Sequence, residues 1–186
     1  MALSKIDVAN MLTGATPVAN GGTALTSGFK NGITMADAWR LTTAFSNDAT
    51  PIASNWERND AYGFGQLGTG MTQSSGIFTF PSTGIYRISF GVYIYYNGDD
   101  RLIEAKIRST TDNSSYNTLT DAVSFVQQTG GALTYNNAYA EAQFDVTNTT
   151  THKVRFDIAV TNSNTAIAGD SNVSATYTTF TRLGDT

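Results

Sequence analysis

The clearest regularity in the chain is the alternation of apolar and polar side chains between Ile85 and Tyr96. The apolar set on one face of this segment is Tyr86, Ile88, Phe90, Val92 and Ile94. A period of two predicts a β-strand with one buried face. Turn-forming residues follow at 97–100, beginning with Asn-Gly, and predict a hairpin whose return strand carries apolar residues at 103, 105 and 107.

The same period of two recurs at 138–146 and at 153–160. Shorter strand-like patterns lie near residues 39–45, 52–56, 118–127 and 173–183. About eight to ten short strands separated by turn residues predict a β-sandwich or a β-barrel. Alternation, in place of unbroken apolar runs, predicts that the strands pair antiparallel. The sequence therefore predicts an all-β fold.

Residues 1–35 differ from the rest of the chain, because they are small, Gly-rich and without apolar periodicity. Gly14, the Gly21-Gly22 pair and Gly28 would interrupt a regular element. We interpret residues 1–35 as an extended N-terminal arm and residues 36–186 as the folded domain. A frayed tail is the alternative interpretation of the first segment.

The composition of the chain argues against several classes of binding partner. The chain has 186 residues, a formal net charge of −4 and only 14% charged residues. Nucleic-acid binding is not expected, since phosphate neutralisation needs clustered Lys and Arg. Membrane insertion is not expected either, because no apolar run reaches the length of a span. The absence of cysteine excludes disulfides, thiolate metal sites and a cysteine nucleophile.

Two features could suggest catalysis or cofactor binding. Residues 63–68 have the spacing G-x-G-x-x-G, but a poor helix former follows, whereas a dinucleotide site needs a helix there. His152 is the only histidine, and no G-x-S-x-G elbow accompanies it. We interpret residues 63–68 as a Gly-rich connection and His152 as a surface turn residue. We expect neither enzymatic activity nor a cofactor.

The densest acidic cluster consists of Asp99, Asp100 and Glu104. Carboxylate oxygens at this density could bind Ca²⁺. The string Asn97-Gly98-Asp99-Asp100 is also a hairpin turn, which explains the same residues without a metal. Calcium binding stays the less favoured of these two interpretations, and no other metal site is predicted.

The string from Gly76 to Tyr86, GIFTFPSTGIY, resembles the strand–turn–strand signature of the C1q/TNF-like family. The segment from Thr179 to Asp185 is similar to the closing strand of that family, with a Phe followed by a Leu. The resemblance extends from about Trp39 to Leu183. It implies an antiparallel jelly-roll β-sandwich of about ten strands that assembles as a homotrimer. The sequence of residues 74–81 is also similar to that of C1q-like modules on bacteriophage virions.

In trimers of this family the subunits meet through the outward face of one sheet, and the sequence offers aromatic residues for such a face. If the even positions of 86–94 point inward, Tyr93 and Tyr95 point outward, and the same parity places Tyr139 outside on its strand. Phe180 is expected to face out as well. Aromatic residues are enriched at interfaces, so these four are the predicted trimer contacts. The alternative is that they are isolated surface residues.

Two functions fit these expectations. The first is a bacteriophage virion structural protein, a trimeric capsid decoration or cement protein that binds the major capsid protein or another virion component through its arm. The second is a receptor-binding module of a tail fibre or capsid spike, in which loops 97–101, 110–118 and 161–172 lie together at the end of the sandwich and contact a host surface glycan. Both place the protein on the virion.

Overall fold

The computed structural model describes residues 32–186, and residues 33–186 form one compact unit. The predicted N-terminal arm lies outside the described residues, except for its last four positions. The described part contains the following strands: β1 (Met35–Leu41), β2 (Phe45–Ser46), β3 (Trp56–Arg58), β4 (Thr72–Ser74), β5 (Ile77–Thr79), β6 (Gly84–Tyr96), β7 (Asp100–Thr110), β8 (Asn117–Val126), β9 (Thr134–Val146), β10 (Lys153–Val160), β11 (Ala166–Ile167) and β12 (Tyr177–Gly184). Within this part, no helix is long and apolar enough to cross a membrane.

The strands form two antiparallel sheets that pack face to face. The first sheet has the order β3-β1-β12-β6-β9, with the short strands β11 and β2 added beside the last residues of β6. The second sheet has the order β4-β5-β10-β7-β8. The prediction of an all-β, antiparallel jelly-roll sandwich is confirmed.

The core between the sheets is rich in aromatic rings. The ring of Phe78 lies 5.5 Å from Trp39, 5.6 Å from Trp56, 5.4 Å from Phe156 and 5.3 Å from Phe180, measured between centroids. These side chains are buried. Edge-to-face and tilted pairs of this kind each add about 0.5–1.5 kcal/mol beyond the burial of their area. Phe78 therefore holds both sheets together at the centre of the domain.

The string from Gly76 to Tyr86 has a structural explanation. Gly76 has φ +76°, and a Cβ there would clash with the carbonyl oxygen of Ile52, so a side chain is excluded. Phe80 and Tyr86 are buried with ring centroids 4.7 Å apart. The Tyr86 hydroxyl donates to the Ser82 carbonyl oxygen at 3.0 Å. These contacts hold the turn through which the chain passes from β5 of the second sheet to β6 of the first.

The sandwich has two ends that differ in what they carry. At one end, which we name the entry end, Met35 at the start of β1 pairs with Arg182 near the end of β12. The chain therefore enters and leaves the domain at the same end. At the other end, which we name the far end, loops 97–99 and 161–165 meet, since the backbone N–H of Asn162 donates to Asp100.

Candidate functional site

The candidate site is the outer face of the first sheet, where strands β9, β6, β12 and β1 lie side by side. The register places one row of residues across these strands, from Tyr139 through Gly91 and Tyr177 to Arg40. The next row toward the entry end contains Glu141, Ser89, Thr179 and Ala38. Small residues at the centre of the face are therefore bordered by tyrosines.

The tyrosines on this face contact one another. Tyr135 on β9 stacks on Tyr93 of β6 with ring centroids 5.7 Å apart, and it lies 6.0 Å from Tyr95. Tyr93, Tyr135 and Tyr139 are exposed, and Tyr95 is partly exposed. The predicted outward orientation of Tyr93, Tyr95 and Tyr139 is confirmed by the structure. Exposed aromatic clusters of this kind are typical of protein interfaces.

A shallow groove of about 460 Å³ lies on the half of this face nearer the far end. Gly91 forms its floor, and its walls include the side chains of Tyr93, Tyr139 and Tyr177 together with Asn137. A Cβ on Gly91 would lie 2.5 Å from a ring carbon of Tyr177, so the glycine is what allows that ring to lie across β6. The lining carries no charged residue.

One ionic group crosses the same face. The guanidinium of Arg87 donates to the carboxylate of Glu141 at 2.6 Å, and the hydroxyl of Tyr139 donates to the same carboxylate at 2.8 Å. The hydrogen bond from Arg87 lowers the pKa of the Glu141 carboxyl. The carboxylate in turn raises the pKa of the Tyr139 hydroxyl. The charges on this face are therefore already paired within one chain.

An apolar edge adjoins the tyrosine face. Strands β8 and β9 are the edges of their sheets, and the Asn136 side-chain amide joins them by donating to the Phe125 carbonyl oxygen at 2.6 Å. The exposed apolar side chains along this edge are Leu119, Val123, Phe125 and Leu133. No charged residue occurs between Ala122 and Ala140. Edge strands usually carry charges that discourage pairing, and on this edge the charges Asp121 and Glu141 lie only beyond the two limits of the uncharged stretch.

The predicted outward orientation of Phe180 is wrong. Phe180 is 0% exposed and packs in the core against Phe78 and Phe156. On β12 it is Tyr177, Thr179 and Thr181 that point outward, because Thr178 and Phe180 share the buried parity. Tyr177 and Tyr135 are the face residues that the sequence prediction missed. The opposite parity of Tyr177 and Phe180 was visible in the sequence, but it does not show which of the two faces the core.

The three carboxylates considered as calcium ligands each bond to a different set of neighbours. Asp100 is 1% exposed and accepts hydrogen bonds from the hydroxyls of Thr161 and Thr165, at 2.5 Å each. Asp99 accepts from the backbone N–H of Gln128, and Glu104 forms an ion pair with Lys106. Among residues 32–186, no three acidic or histidine side chains converge as a metal site would require. The geometry gives the calcium interpretation no support.

Burial raises the pKa of the Asp100 carboxyl, but the hydrogen bonds from Thr161 and Thr165 outweigh that effect, and the net pKa is lowered. Asp100 is therefore a structural carboxylate that ties the β6–β7 turn to the loop after β10. This role explains its burial without a metal ion.

His152 is not a surface residue, contrary to the prediction. Its side chain is buried, and its ring stacks on Phe144 with centroids 5.6 Å apart. Its ring nitrogens lie 3.2 Å from the Thr147 hydroxyl and 3.1 Å from the Thr151 hydroxyl. The ring closes the core at the entry end, where it is already hydrogen-bonded on both sides.

Residues 63–68 lie in the connection between β3 and β4, and no helix follows them before β4. The arrangement that a dinucleotide site needs is therefore missing from this part of the chain.

The loops named for glycan contact do not form one surface. Loop 97–101 meets loop 161–172 at the far end, where the Asn162 side chain donates to the Asp99 carbonyl oxygen. Loop 110–118 lies at the entry end, because the backbone N–H of Asn113 donates to the Thr151 carbonyl oxygen beside the start of β10. The expectation that all three loops share one end is wrong.

No protein-family model matches the chain, and no curated protein matches it in sequence. Solved structures do match it in fold. Murine APRIL superposes with a TM-score of 0.57 at 15% identity, covering 80% of this chain and 98% of that chain. Eiger TNF from S. frugiperda superposes with a TM-score of 0.58 at 15% identity, covering 83% and 95% respectively. At these identities the likeness shows the fold alone, which is a TNF-like jelly roll.

Proposed function

We propose that the chain is a homotrimeric structural protein of a bacteriophage virion, which decorates the capsid and is held there by residues 1–35. The observation that supports a trimer is the exposed tyrosine face of the first sheet. The resemblance of residues 74–81 to C1q-like modules of bacteriophage virions supports a location on the virion. In this proposal the major capsid protein, or another virion component, is the partner.

A closed trimer needs two different surfaces on each subunit, one of which meets the other on the next copy. The chain offers such a pair. One surface is the tyrosine face with its uncharged groove. The other is the β8–β9 edge, where Phe125 and Leu133 are exposed in a segment without charge. These largely apolar surfaces can pack without leaving a buried charge unpaired, since Arg87 and Glu141 on the face are already paired with each other.

The position of the termini suits attachment by an arm. Met35, the first residue of β1, lies at the entry end beside Arg182 near the end of β12. An arm that leaves a trimer from one end can reach neighbouring subunits of a shell while the other end stays outward. Ordering such an arm costs conformational entropy, which its added contacts must exceed.

We further propose that the protein is not an enzyme. Its histidine is buried and hydrogen-bonded, and its most buried acidic turn residue, Asp100, is held by hydroxyl and backbone donors. The described residues offer no convergent nucleophile, base and acid.

Deletion of residues 1–30 tests the proposal. The truncated chain should still form trimers, because the tyrosine face is intact, but it should no longer bind capsids. Mass in solution and retention on sedimented capsids are the two measurements. Normal decoration of capsids by the truncated chain would contradict the role of the arm.

A second candidate function is host recognition, and one observation favours it. Loops 97–101 and 161–172 meet at the far end, which would point away from a particle held at the entry end. Loop 161–172 is rich in Asn, Ser and Thr, and loop 97–101 adds Asn97 and two aspartates, all polar groups that suit carbohydrate contacts. Binding of the purified protein to host cells, competed by free glycan, would favour this function over decoration.

A further inference from the structure

A second pocket lies at the far end of the domain, where the turn between β6 and β7 meets the end of β8. Its volume is about 400 Å³, and it is lined by Asp99, Asp100, Arg101, Phe125, Val126 and Gln127. Small-molecule sites in proteins have volumes of roughly 300–1,000 Å³. The pocket is therefore large enough for a small ligand.

A β-bulge places an arginine and a phenylalanine at this pocket. The register of β7 and β8 shifts between residues 100 and 103, so that Arg101 and Leu102 both lie opposite Phe125. Neighbouring residues of a regular strand point to opposite faces, but Arg101 and Leu102 are both exposed. Bulges commonly redirect a side chain beside a functional site. Here the bulge keeps Arg101 out of the core and at the same pocket as the Phe125 ring.

The buried Asp100 holds the pocket in shape. It pairs with Val126 across the two strands. Its carboxylate accepts from the backbone N–H groups of Leu102 and Thr161, at 3.3 and 3.2 Å. A site whose backbone is fixed in this way loses little conformational entropy when a ligand binds.

The other polar groups of the pocket are not used by the fold. Arg101 forms no ion pair or side-chain hydrogen bond within residues 32–186, whereas every other basic side chain there is ion-paired, except Lys153, which donates to a backbone carbonyl. Asp99 accepts from the Gln128 backbone N–H with one carboxylate oxygen, and its other oxygen has no partner in the described part of the chain. The Gln127 side chain is exposed, and it too has no hydrogen-bond partner there.

Phe125 adds an apolar surface to these polar groups. Its side chain is 57% exposed. An accessible aromatic ring among unpaired donors and acceptors suits a ligand that has both an apolar face and a rim of hydroxyl groups. A pyranose sugar is such a ligand, because C–H groups form the faces of its ring and each hydroxyl can both donate and accept.

The charge of the pocket indicates a neutral sugar. The Asp100 carboxylate is buried, and both of its oxygens already accept from threonine hydroxyls. The charges left for a ligand are one guanidinium, on Arg101, and one carboxylate, on Asp99. These two cancel, so neither an acidic sugar nor an amino sugar gains a net attraction.

We propose that this pocket binds a neutral hexopyranose, which stacks on Phe125 and hydrogen-bonds to Asp99, Arg101 and Gln127. The inference deepens the second candidate function, host recognition, and rests on it. Each subunit of the proposed trimer carries one such pocket, so a surface that displays many sugars engages several pockets at once. Multiple attachment raises the overall affinity well above that of one pocket.

Phe125 also belongs to the β8–β9 edge that we propose to contact the next copy. The pocket lies at the limit of that edge, where the polar residues of the turn begin. The test therefore changes Arg101 and Gln127, which are not among the apolar side chains of the edge, so that the mass of the assembly can be kept constant.

The experiment measures binding of the full-length protein to neutral oligosaccharides that end in glucose, galactose or mannose, with uronic-acid and amino-sugar oligosaccharides for comparison. A glycan array finds the bound sugars, and isothermal titration calorimetry gives their affinities. The matched control is Ser163→Ala, an exposed position in the neighbouring loop of the far end. We expect wild type and the control to bind a neutral sugar equally, and Arg101→Ala/Gln127→Ala to bind it about tenfold or more weakly at unchanged mass.

The contrary outcomes are distinct. Equal binding by the double variant and wild type overturns the pocket, as does a preference for acidic or amino sugars. A wild-type protein that binds host cells but no neutral sugar also overturns the pocket, and leaves host recognition to another surface. A wild-type protein that binds neither sugars nor host cells overturns host recognition itself, and the pocket with it.

Discussion

The ring of Tyr177 on β12 lies across Gly91 on β6, so closely that a Cβ on Gly91 would come within 2.5 Å of the ring. Gly91 is buried beneath this ring, and the groove between Tyr177 and Tyr139 depends on that arrangement. The two residues therefore link the packing of a single chain to the surface through which we propose that chains associate.

Gly91→Ala should displace the Tyr177 ring from the sheet and fill the floor of the groove. Because the ring can rotate outward, we expect a small loss of stability, about 1 kcal/mol, but clear weakening of the trimer. Sedimentation velocity over a range of concentrations measures the association, and thermal unfolding measures the stability. Gly65→Ala is the matched control, since a Cβ there meets no atom within 4 Å. An unchanged trimer in Gly91→Ala would argue against the groove as a contact.

Replacing the stacked pair Tyr93 and Tyr135 by Ser should dissociate the trimer. Interface tyrosines commonly contribute about 2 kcal/mol or more each when they are truncated, whereas both side chains are exposed in the single chain. The double variant should therefore be a folded monomer by circular dichroism and light scattering. Leu102→Ser, an exposed position in β7 of the second sheet, should keep the trimer mass. A trimeric double variant would exclude these tyrosines as principal contacts.

Asp100→Asn should destabilise the domain by about 3 kcal/mol. One carboxylate oxygen accepts from the backbone N–H of Thr161 and the other from that of Asn162, so an amide NH₂ in either position would face a donor. Chemical denaturation measures the loss. If calcium were bound there, added Ca²⁺ would raise the unfolding midpoint of the wild type, and we expect no such change.

The pH dependence of stability follows from the same carboxylate. The pKa of Asp100 is lowered from its ordinary value of 3.8 in the folded state. Its contribution to stability is therefore complete above about pH 4 and is lost as the pH falls through the lower folded pKa. Wild type should lose stability more steeply than Asp100→Asn in this acidic range, as denaturation at a series of pH values would show. Parallel losses in the two proteins would contradict the assignment.

His152→Ala should cost about 2–3 kcal/mol in unfolding free energy, since it removes a buried ring and leaves the space beside Phe144 unfilled. A surface turn residue would give a change within about 0.5 kcal/mol. Urea denaturation separates these outcomes, and the mass of the variant should remain that of the wild type.

The strands with an unbroken apolar face were predictable from the sequence. The alternation from Ile85 to Tyr96 matches β6 to within one residue at its start, Gly84. Strand β9 begins at Thr134, four residues before the predicted start at Ala138. The difference arises because Asn136 occupies an inward position there and interrupts the apolar pattern.

The orientation of Phe180 and the burial of His152 were not predictable by alternation. Alternation counted from Val173 places Phe180 on the outward face. The count fails because residues 168–176 are irregular and the strand begins only at Tyr177. His152 is buried through its contact with Phe144, which precedes it by a strand end and a turn. The hydrophobic pattern of a single segment cannot show contacts between residues of different segments.

The candidate face was predictable only in part. Alternation identified Tyr93, Tyr95 and Tyr139 as outward residues. The groove depends on the register that sets Tyr177 opposite Gly91 and Gly91 opposite Tyr139. Register between strands that are distant in sequence is fixed by packing of the whole sandwich, so no local signal shows it.

Sedimentation equilibrium of the full-length protein tests the central claim most directly. A homotrimer predicts a single species of three times the 19.9 kDa chain mass, maintained across dilution at neutral pH. A mass of one chain at every concentration, or a stable dimer, would contradict the account of the tyrosine face.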